Sequence, residues 1–175
     1  MSNHTQIEKF AIVVGDLLDN IKIIIGDLYS TGGTTLTPDL IDAVKTYILS
    51  KDKVYIIDRF IDSSYEFWEN IHHKDEKFFI NNSDQIFGNG DSNINAFKVI
   101  FTNNSVDDET KDFLWSCIFS MVKISTRYVF ECRGTSVEKT NKDNKILVKL
   151  TYKNKEFKSE VDLSKHNKLW NIKLW

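Results

Sequence analysis

After Gly134 the hydrophobic period of this chain drops from three-and-four to two, and that switch constrains the fold more than any single residue does. Before it, apolar residues recur at the spacing of one helix face. After it they alternate, as they do along a half-buried strand. The expected fold is therefore mainly α, a bundle of about five helices in residues 1–134 with a C-terminal β-hairpin appendage in residues 135–175. Pro38 is the single proline, so little interrupts the long elements. A chain of 175 residues buries roughly 70% of its unfolded surface, enough for a core that needs no staples.

Ile7, Phe10, Val14, Leu17, Leu18, Ile21, Ile24, Ile25 and Leu28 mark a first helix of about six turns, ended by Ser30 to Thr35 with its Gly32-Gly33 pair. Thr37 then stands as an N-cap before Pro38, and Leu40, Ile41, Val44 and Ile48 give a second helix its buried stripe. Val54, Ile57, Ile61, Ser64, Trp68 and Ile71 predict one continuous third helix from Lys53 to His72, with Asp58, Arg59, Asp62, Glu66 and Glu69 on its wet side. A short helix from Asp75 to Asn81 would bury Phe78 and Phe79, and Ile86-Phe87 would close the following turn. Residues 88–95 read as a polar loop.

Ala96 to Phe101 fits either a strand or a short helix. Ser105 and Asp108 have the spacing of a capping box, and Asp107 to Glu109 place negative charge at the positive end of a helix dipole. The helix they open should be the longest and most buried, with Phe113, Leu114, Cys117, Ile118, Met121, Ile124, Ser125 and Tyr128 inward and Trp115 and Phe119 widening the stripe. Thr135 to Asn144 reads as a polar linker. Beyond it Ile146, Val148, Leu150 and Tyr152 share one face, answered by Phe157, Ser159, Val161 and Leu163 across a turn at Lys153 to Glu156.

Charge divides along the same boundary. Residues 1–134 hold 13 Lys and Arg against 20 Asp and Glu, a net of −7, and residues 135–175 hold 10 against 5, a net of +5, which together give −2. An acidic body attracts its own basic appendage, so the appendage is expected to fold back onto the bundle. The competing use of the same lysines is phosphate binding, although strong nucleic-acid binders cluster Lys and Arg and this segment has no Arg.

Catalytic chemistry finds little support. His72 and Glu76 could present two metal ligands on one helix face, but a mononuclear site wants a third. Asp91, Asn93 and Asn95 imitate the opening of a calcium loop, yet Ala96 stands where the sharp turn needs Gly and Thr102 where the bidentate Glu belongs. Gly32-Gly33 and Gly88-Asn89-Gly90 follow no buried strand and precede no Gly-Lys-Ser/Thr, so they are not phosphate loops. The acidic run Asp58, Asp62, Glu66 and Glu69 reads as a solvated face. Cys117 and Cys132 read as reduced packing residues. Three Asn-x-Ser/Thr matches, at Asn3, Asn81 and Asn103, are what chance gives in an Asn-rich chain without a leader pattern.

Glu76-Lys77-Phe78-Phe79, then Ile86-Phe87, then Thr110-Lys111-x-x-Leu114-Trp115 leading into an apolar helix, resembles the pattern of a group of uncharacterised helical proteins of large nucleocytoplasmic DNA viruses, the mimivirus and phycodnavirus relatives. The similarity covers about residues 54–123. It implies an α-helical protein of infected cytoplasm or virion, and it brings no catalytic residue. In this sequence the gap between the double Phe and Ile-Phe is shorter, and the basic hairpin has no counterpart in the pattern. The abundance of Ile, Lys and Asn beside few Gly, Ala, Arg and Pro independently suits an AT-rich genome.

The expected function is that of a non-enzymatic interaction or structural protein without cofactor or metal, binding a protein partner or itself through Tyr152, Phe157, Trp170 and Trp175. The alternative is nucleic-acid binding through Lys149, Lys153, Lys155 and Lys158. Asp16, Asp19, Lys22 and Asp27 interrupt the most apolar stretch, so no segment should span a membrane, and a cytoplasmic location is expected.

Overall fold

Helix α1 (Asn3–Ser30) buries Ile7, Phe10, Val14, Leu17, Ile21, Ile25 and Leu28, the stripe expected from the spacing. Its end is set by Gly32, whose φ of 76° is a left-handed conformation that costs glycine nothing. From there the Gly33 N–H reaches back to the Leu28 carbonyl at 2.7 Å. The computed structural model describes residues 3–86, 95–131, 136–142 and 145–162. Asp91, Asn93, Cys132, Trp170 and Trp175, along with most of the expected polar loop, lie outside them.

Helix α2 (Pro38–Leu49) begins where Thr37 and Pro38 predict, with the Thr37 hydroxyl accepting from the Leu40 N–H at 3.3 Å. It runs antiparallel to α1: Lys45 pairs with Asp19 at 2.6 Å, Lys22 pairs with Asp42, and Pro38 packs over Gly26.

Helix α3 (Lys53–Ser64) does not continue to His72. A 3-10 turn at Tyr65–Phe67 separates it from α4 (Trp68–His72). Ser64 donates its hydroxyl to the Phe60 carbonyl at 2.6 Å, competing with the backbone N–H that a regular helix would place there, while the Ser63 hydroxyl reaches the Ile86 carbonyl at 2.7 Å. Ile57, Ile61, Ser64, Trp68 and Ile71 stay buried through the break. Val54, expected inward, lies at the exposed start of the helix.

Helix α5 (Glu76–Ile86) runs a turn and a half beyond the expected end at Asn81 and absorbs Ile86. Its buried line is Phe79, Ser83 and Ile86, while Phe78 is half-buried against Phe67. Residues Ala96–Thr102 resolve as helix α6, capped by Asn95, whose Oδ1 accepts from the Lys98 N–H and the Ser83 hydroxyl, both at 2.9 Å. The last of the three calcium-like residues is thus a helix cap.

Helix α7 (Asp108–Glu131) has 24 residues and is not the longest, since α1 has 28. It is capped by Asp107 rather than by a Ser105/Asp108 box, because Ser105 bonds back to Asn103. The hydroxyl and N–H of Thr110 hold the Asp107 carboxyl below the usual carboxylate range. A depressed folded-state pKa stabilises above the unfolded value, about 3.9, and that support is lost as pH falls through the folded value. Asp107→Ala should therefore lower the melting temperature at pH 7, and in a thermal-melt series the gap to the parent protein should narrow as the pH falls below the unfolded-state value of about 3.9.

Helix α7 lies antiparallel along α1, and α2, α3 and α6 also pack on α1. Phe79, Phe97, Phe101, Trp115 and Phe119 form an aromatic cluster that joins α5, α6 and α7, with the Phe79 and Trp115 rings 4.9 Å apart. Buried Cys117 is a free thiol whose pKa is pushed up by burial and, secondarily, by the Asp16 charge. In a Cys132→Ser background it should react with a thiol reagent many times more slowly than free cysteine at pH 8 and reach the ordinary rate only in denaturant.

Strands β1 (Ser136–Lys142), β2 (Lys145–Tyr152) and β3 (Lys155–Asp162) form an antiparallel sheet in the order β1-β2-β3. The hairpin is as expected. The supposed linker at Thr135 to Asn144 is instead largely a third strand, paired from Ser136 opposite Thr151 to Lys142 opposite Lys145. The register sets Leu150 opposite Val137 on one side and Phe157 on the other.

Candidate interaction surface

The β2–β3 turn has two central residues, Lys153 and Asn154, both left-handed at φ 46° and 64°. Such a turn suits the right-handed twist of the strands and normally prefers Asn-Gly, so a lysine in the first position is locally unfavourable. Its ammonium meets Asp58 Oδ2 on α3 at 2.6 Å, and the Tyr152 hydroxyl donates to Oδ1 of the same carboxylate at 3.1 Å. One turn further along α3, Asp62 Oδ1 receives Lys155 Nζ at 2.5 Å.

Packing supports these contacts. Tyr152 is buried with its ring edge-on to Tyr128 of α7, at 6.1 Å between centroids, and Lys155 lies over the Tyr65 ring at 5.6 Å. Burial pushes the Tyr65 phenol up, and the neighbouring Glu66 carboxylate adds to that shift. The Asp58 and Lys155 side chains keep only 19% and 17% of their surface, so the expectation of a wholly wet acidic face fails at Asp58.

The second surface is the outer side of α1 beside α7. Ile12 and Ile23 stand three helical turns apart on one stripe and are 62% and 63% exposed. Ile12 borders a shallow groove with Lys9, Val13, Ser120, Lys123 and Ile124. On α7, Phe113 is 48% exposed, correcting the expectation that it packs inward. Glu8, Asp16, Asp27, Glu109 and Asp112 are exposed along these two helices, and Lys9 and Lys123 lie at one end.

The residues expected to bind partners separate in the structure. Tyr152 belongs to the contact on α3, and Phe157 lies in β3 opposite Leu150. Lys153 and Lys155 face α3 carboxylates, Lys149 pairs with Glu156 at 2.8 Å, and Lys158 is in register with Lys149. His72 ends α4 while Glu76 begins α5, with Lys74 in a left-handed conformation between them, so they do not share one helix face. No three His, Cys, Asp or Glu side chains among the described residues are grouped to hold a metal ion. No described helix is long and apolar enough to cross a membrane.

Sequence reasoning missed Ile12 and Ile23. Their spacing of eleven, displaced from the buried stripe, was the available signal. Comparisons of the chain with protein-family models, curated proteins and solved structures find no match.

Proposed function

We propose that this protein is a non-enzymatic interaction module whose outer α1–α7 face receives an amphipathic helix of a partner protein with lysines or arginines beside its apolar stripe. The observation that carries the reading is the pair Ile12 and Ile23, two large aliphatic side chains more than 60% exposed on one helix stripe. Scattered apolar residues on a surface need no explanation, but here Phe113 of the adjacent helix extends the apolar surface. The acidic residues Glu8, Asp16, Asp27 and Glu109 outnumber Lys9 and Lys123 on that surface, which argues for a basic occupant. The resemblance of the Phe78-Phe79 to Trp115 pattern to helical proteins of large DNA viruses supports a setting in infected cytoplasm or a virion.

Binding of a designed Leu/Lys amphipathic helical peptide, followed by calorimetry beside a Leu/Glu counterpart, tests this reading. The basic peptide should bind, the acidic one should not, and Ile12→Glu with Ile23→Glu should abolish binding while leaving the melting curve intact. Equal binding of both peptides, or binding indifferent to the double substitution, refutes it. The nucleic-acid alternative asks Lys149, Lys153 and Lys155 to leave carboxylates they already hold.

A further inference from the structure

We propose that the occupant of the α1–α7 face is a second copy of this chain, presenting the corner between α2 and α3, so that copies join head to tail. The inference rests on the reading of that face as a docking surface and names the partner it takes.

Exposed apolar side chains fall into two groups. Among the described residues eight large hydrophobics are exposed, and three of them, Ile12, Ile23 and Phe113, belong to the α1–α7 face. Four more, Tyr47, Leu49, Val54 and Tyr55, crowd into nine residues at the α2–α3 corner, at 38–66% exposure. Tyr29 alone of the eight stands outside both groups. So much apolar surface on one short corner is more than scattered exposure accounts for.

The two groups are set among opposite charges. On the face each apolar residue has an exposed acidic one a helical turn away on the same side: Asp16 after Ile12, Asp27 after Ile23 and Glu109 before Phe113. At the corner Lys51 and Lys53 are exposed, and Lys51 lies over the Tyr47 ring at 4.4 Å. Residues 43–57 hold three lysines against one aspartate, Asp52. Its carboxylate is turned to the start of α3, accepting from the Val54 and Tyr55 N–H groups at 2.9 and 3.4 Å. A basic apolar corner and an acidic apolar face are complementary, and one chain owns both.

The match cannot be made within one molecule. The corner is held tightly, with the Ser50 N–H on the Thr46 carbonyl at 3.0 Å and the Lys51 N–H on the Ile48 carbonyl at 3.1 Å. Helix α2 is in turn fixed along α1 by the Lys45–Asp19 and Lys22–Asp42 pairs. With corner and face set in the same bundle, each must find its complement on another copy. Lys9 and Lys123 lie at the Ile12 end of the face, so the corner lysines are drawn to the Ile23 and Phe113 end, towards Asp27 and Glu109. Because two different patches meet, no twofold axis closes the contact, and it repeats from copy to copy as a ring or an open chain. Patches of three and four side chains make a small interface, which places the association at the weak, reversible end.

Sedimentation of the full chain from about 5 to 500 µM, beside a corner variant and a face variant, tests this. The corner variant is Lys51→Glu with Lys53→Glu, and the face variant is Ile12→Glu with Ile23→Glu. The parent protein should rise with concentration above its monomer mass of 20.4 kDa. In about 0.5 M salt it should need a concentration about fivefold higher or more to do so. Each variant alone should stay monomeric with an unchanged melting curve. Mixed in equal amounts they should form a dimer and nothing larger, because one supplies the intact face and the other the intact corner. The Leu/Lys peptide, by occupying the face, should return the parent protein to monomer. A parent protein that is monomeric throughout, a variant that assembles as the parent does, or a mixture that forms no dimer would each overturn head-to-tail joining. Peptide binding to a parent protein that never assembles sinks this proposal alone and leaves the face a site for a foreign helix, whereas binding of neither kind sinks both.

Discussion

Trp115→Ala should destabilise the protein by about 3–5 kcal/mol, the cost of emptying a large aromatic site in a packed core. Trp115 is almost wholly buried and touches Phe79 of α5 and Phe101 of α6, at 4.9 and 5.5 Å between ring centroids, with Phe119 stacked at 6.0 Å on its own helix. Each favourable ring pair adds about 0.5–1.5 kcal/mol beyond simple burial, so removing the indole loosens three helices at once. Against a total stability of about 5–15 kcal/mol this is a large share, and the melting temperature should fall by roughly 6–20 °C. Phe113→Ala is the control. It lies two residues away on the same helix but half exposed, and its effect in a urea titration should stay within about 0.5 kcal/mol. Equal losses at the two positions would contradict the placement of α7.

The second large effect is expected from one hydroxyl. Ser64 is fully buried, donates to the Phe60 carbonyl at 2.6 Å and accepts from the Trp68 indole N–H at 2.9 Å. Ser64→Ala takes away the hydroxyl that the Trp68 indole uses in the interior, at a cost of about 1–3 kcal/mol. Alanine's better helix propensity returns only about 0.5 kcal/mol of that. Trp68→Phe removes the donor instead, so in a double-mutant cycle the two losses should be clearly less than additive. Additive losses would mean that the Ser64–Trp68 bond contributes nothing.

These two residues show what the sequence made readable. The stripe through Ile57, Ile61, Ser64, Trp68 and Ile71 marks the buried side of residues 53–72 in advance, since burial follows the helical period even across a 3-10 turn. The break itself is hidden, because it depends on which carbonyl the Ser64 hydroxyl chooses. Similarly, Ser83 conceals the last turns of α5: a buried serine that donates to Asn95 breaks an apolar pattern without breaking the helix. Strand β1 carries almost no apolar signal in Ser136–Lys142 and exists because β2 offers it a ladder, a matter of context rather than propensity.

The charge division announced that body and appendage would meet, but the match of Lys153 with Asp58 and Lys155 with Asp62 depends on a tertiary register that periodicity does not encode. Phe113 was misplaced because the inward stripe of α7 is broad, and its edge is decided by where α1 lies. The exposed pair on α1 was visible as spacing, although its meaning was not. Only the full or partial burial of every other aliphatic position on that helix makes Ile12 and Ile23 stand out.

The pairing of the first helix with the last bundle helix also sets a schedule for synthesis. When α1 has been made, about 100 residues must still be added before α7 is complete. At typical translation rates that interval lasts roughly 5–20 s. Throughout it the Phe10, Ile21 and Ile25 edge has only part of its eventual cover, with α2 and then α3 arriving first. A nascent chain halted before residue 108 is therefore a natural client for a chaperone that holds apolar helices, and ribosome profiling of such factors should find their occupancy falling once α7 emerges.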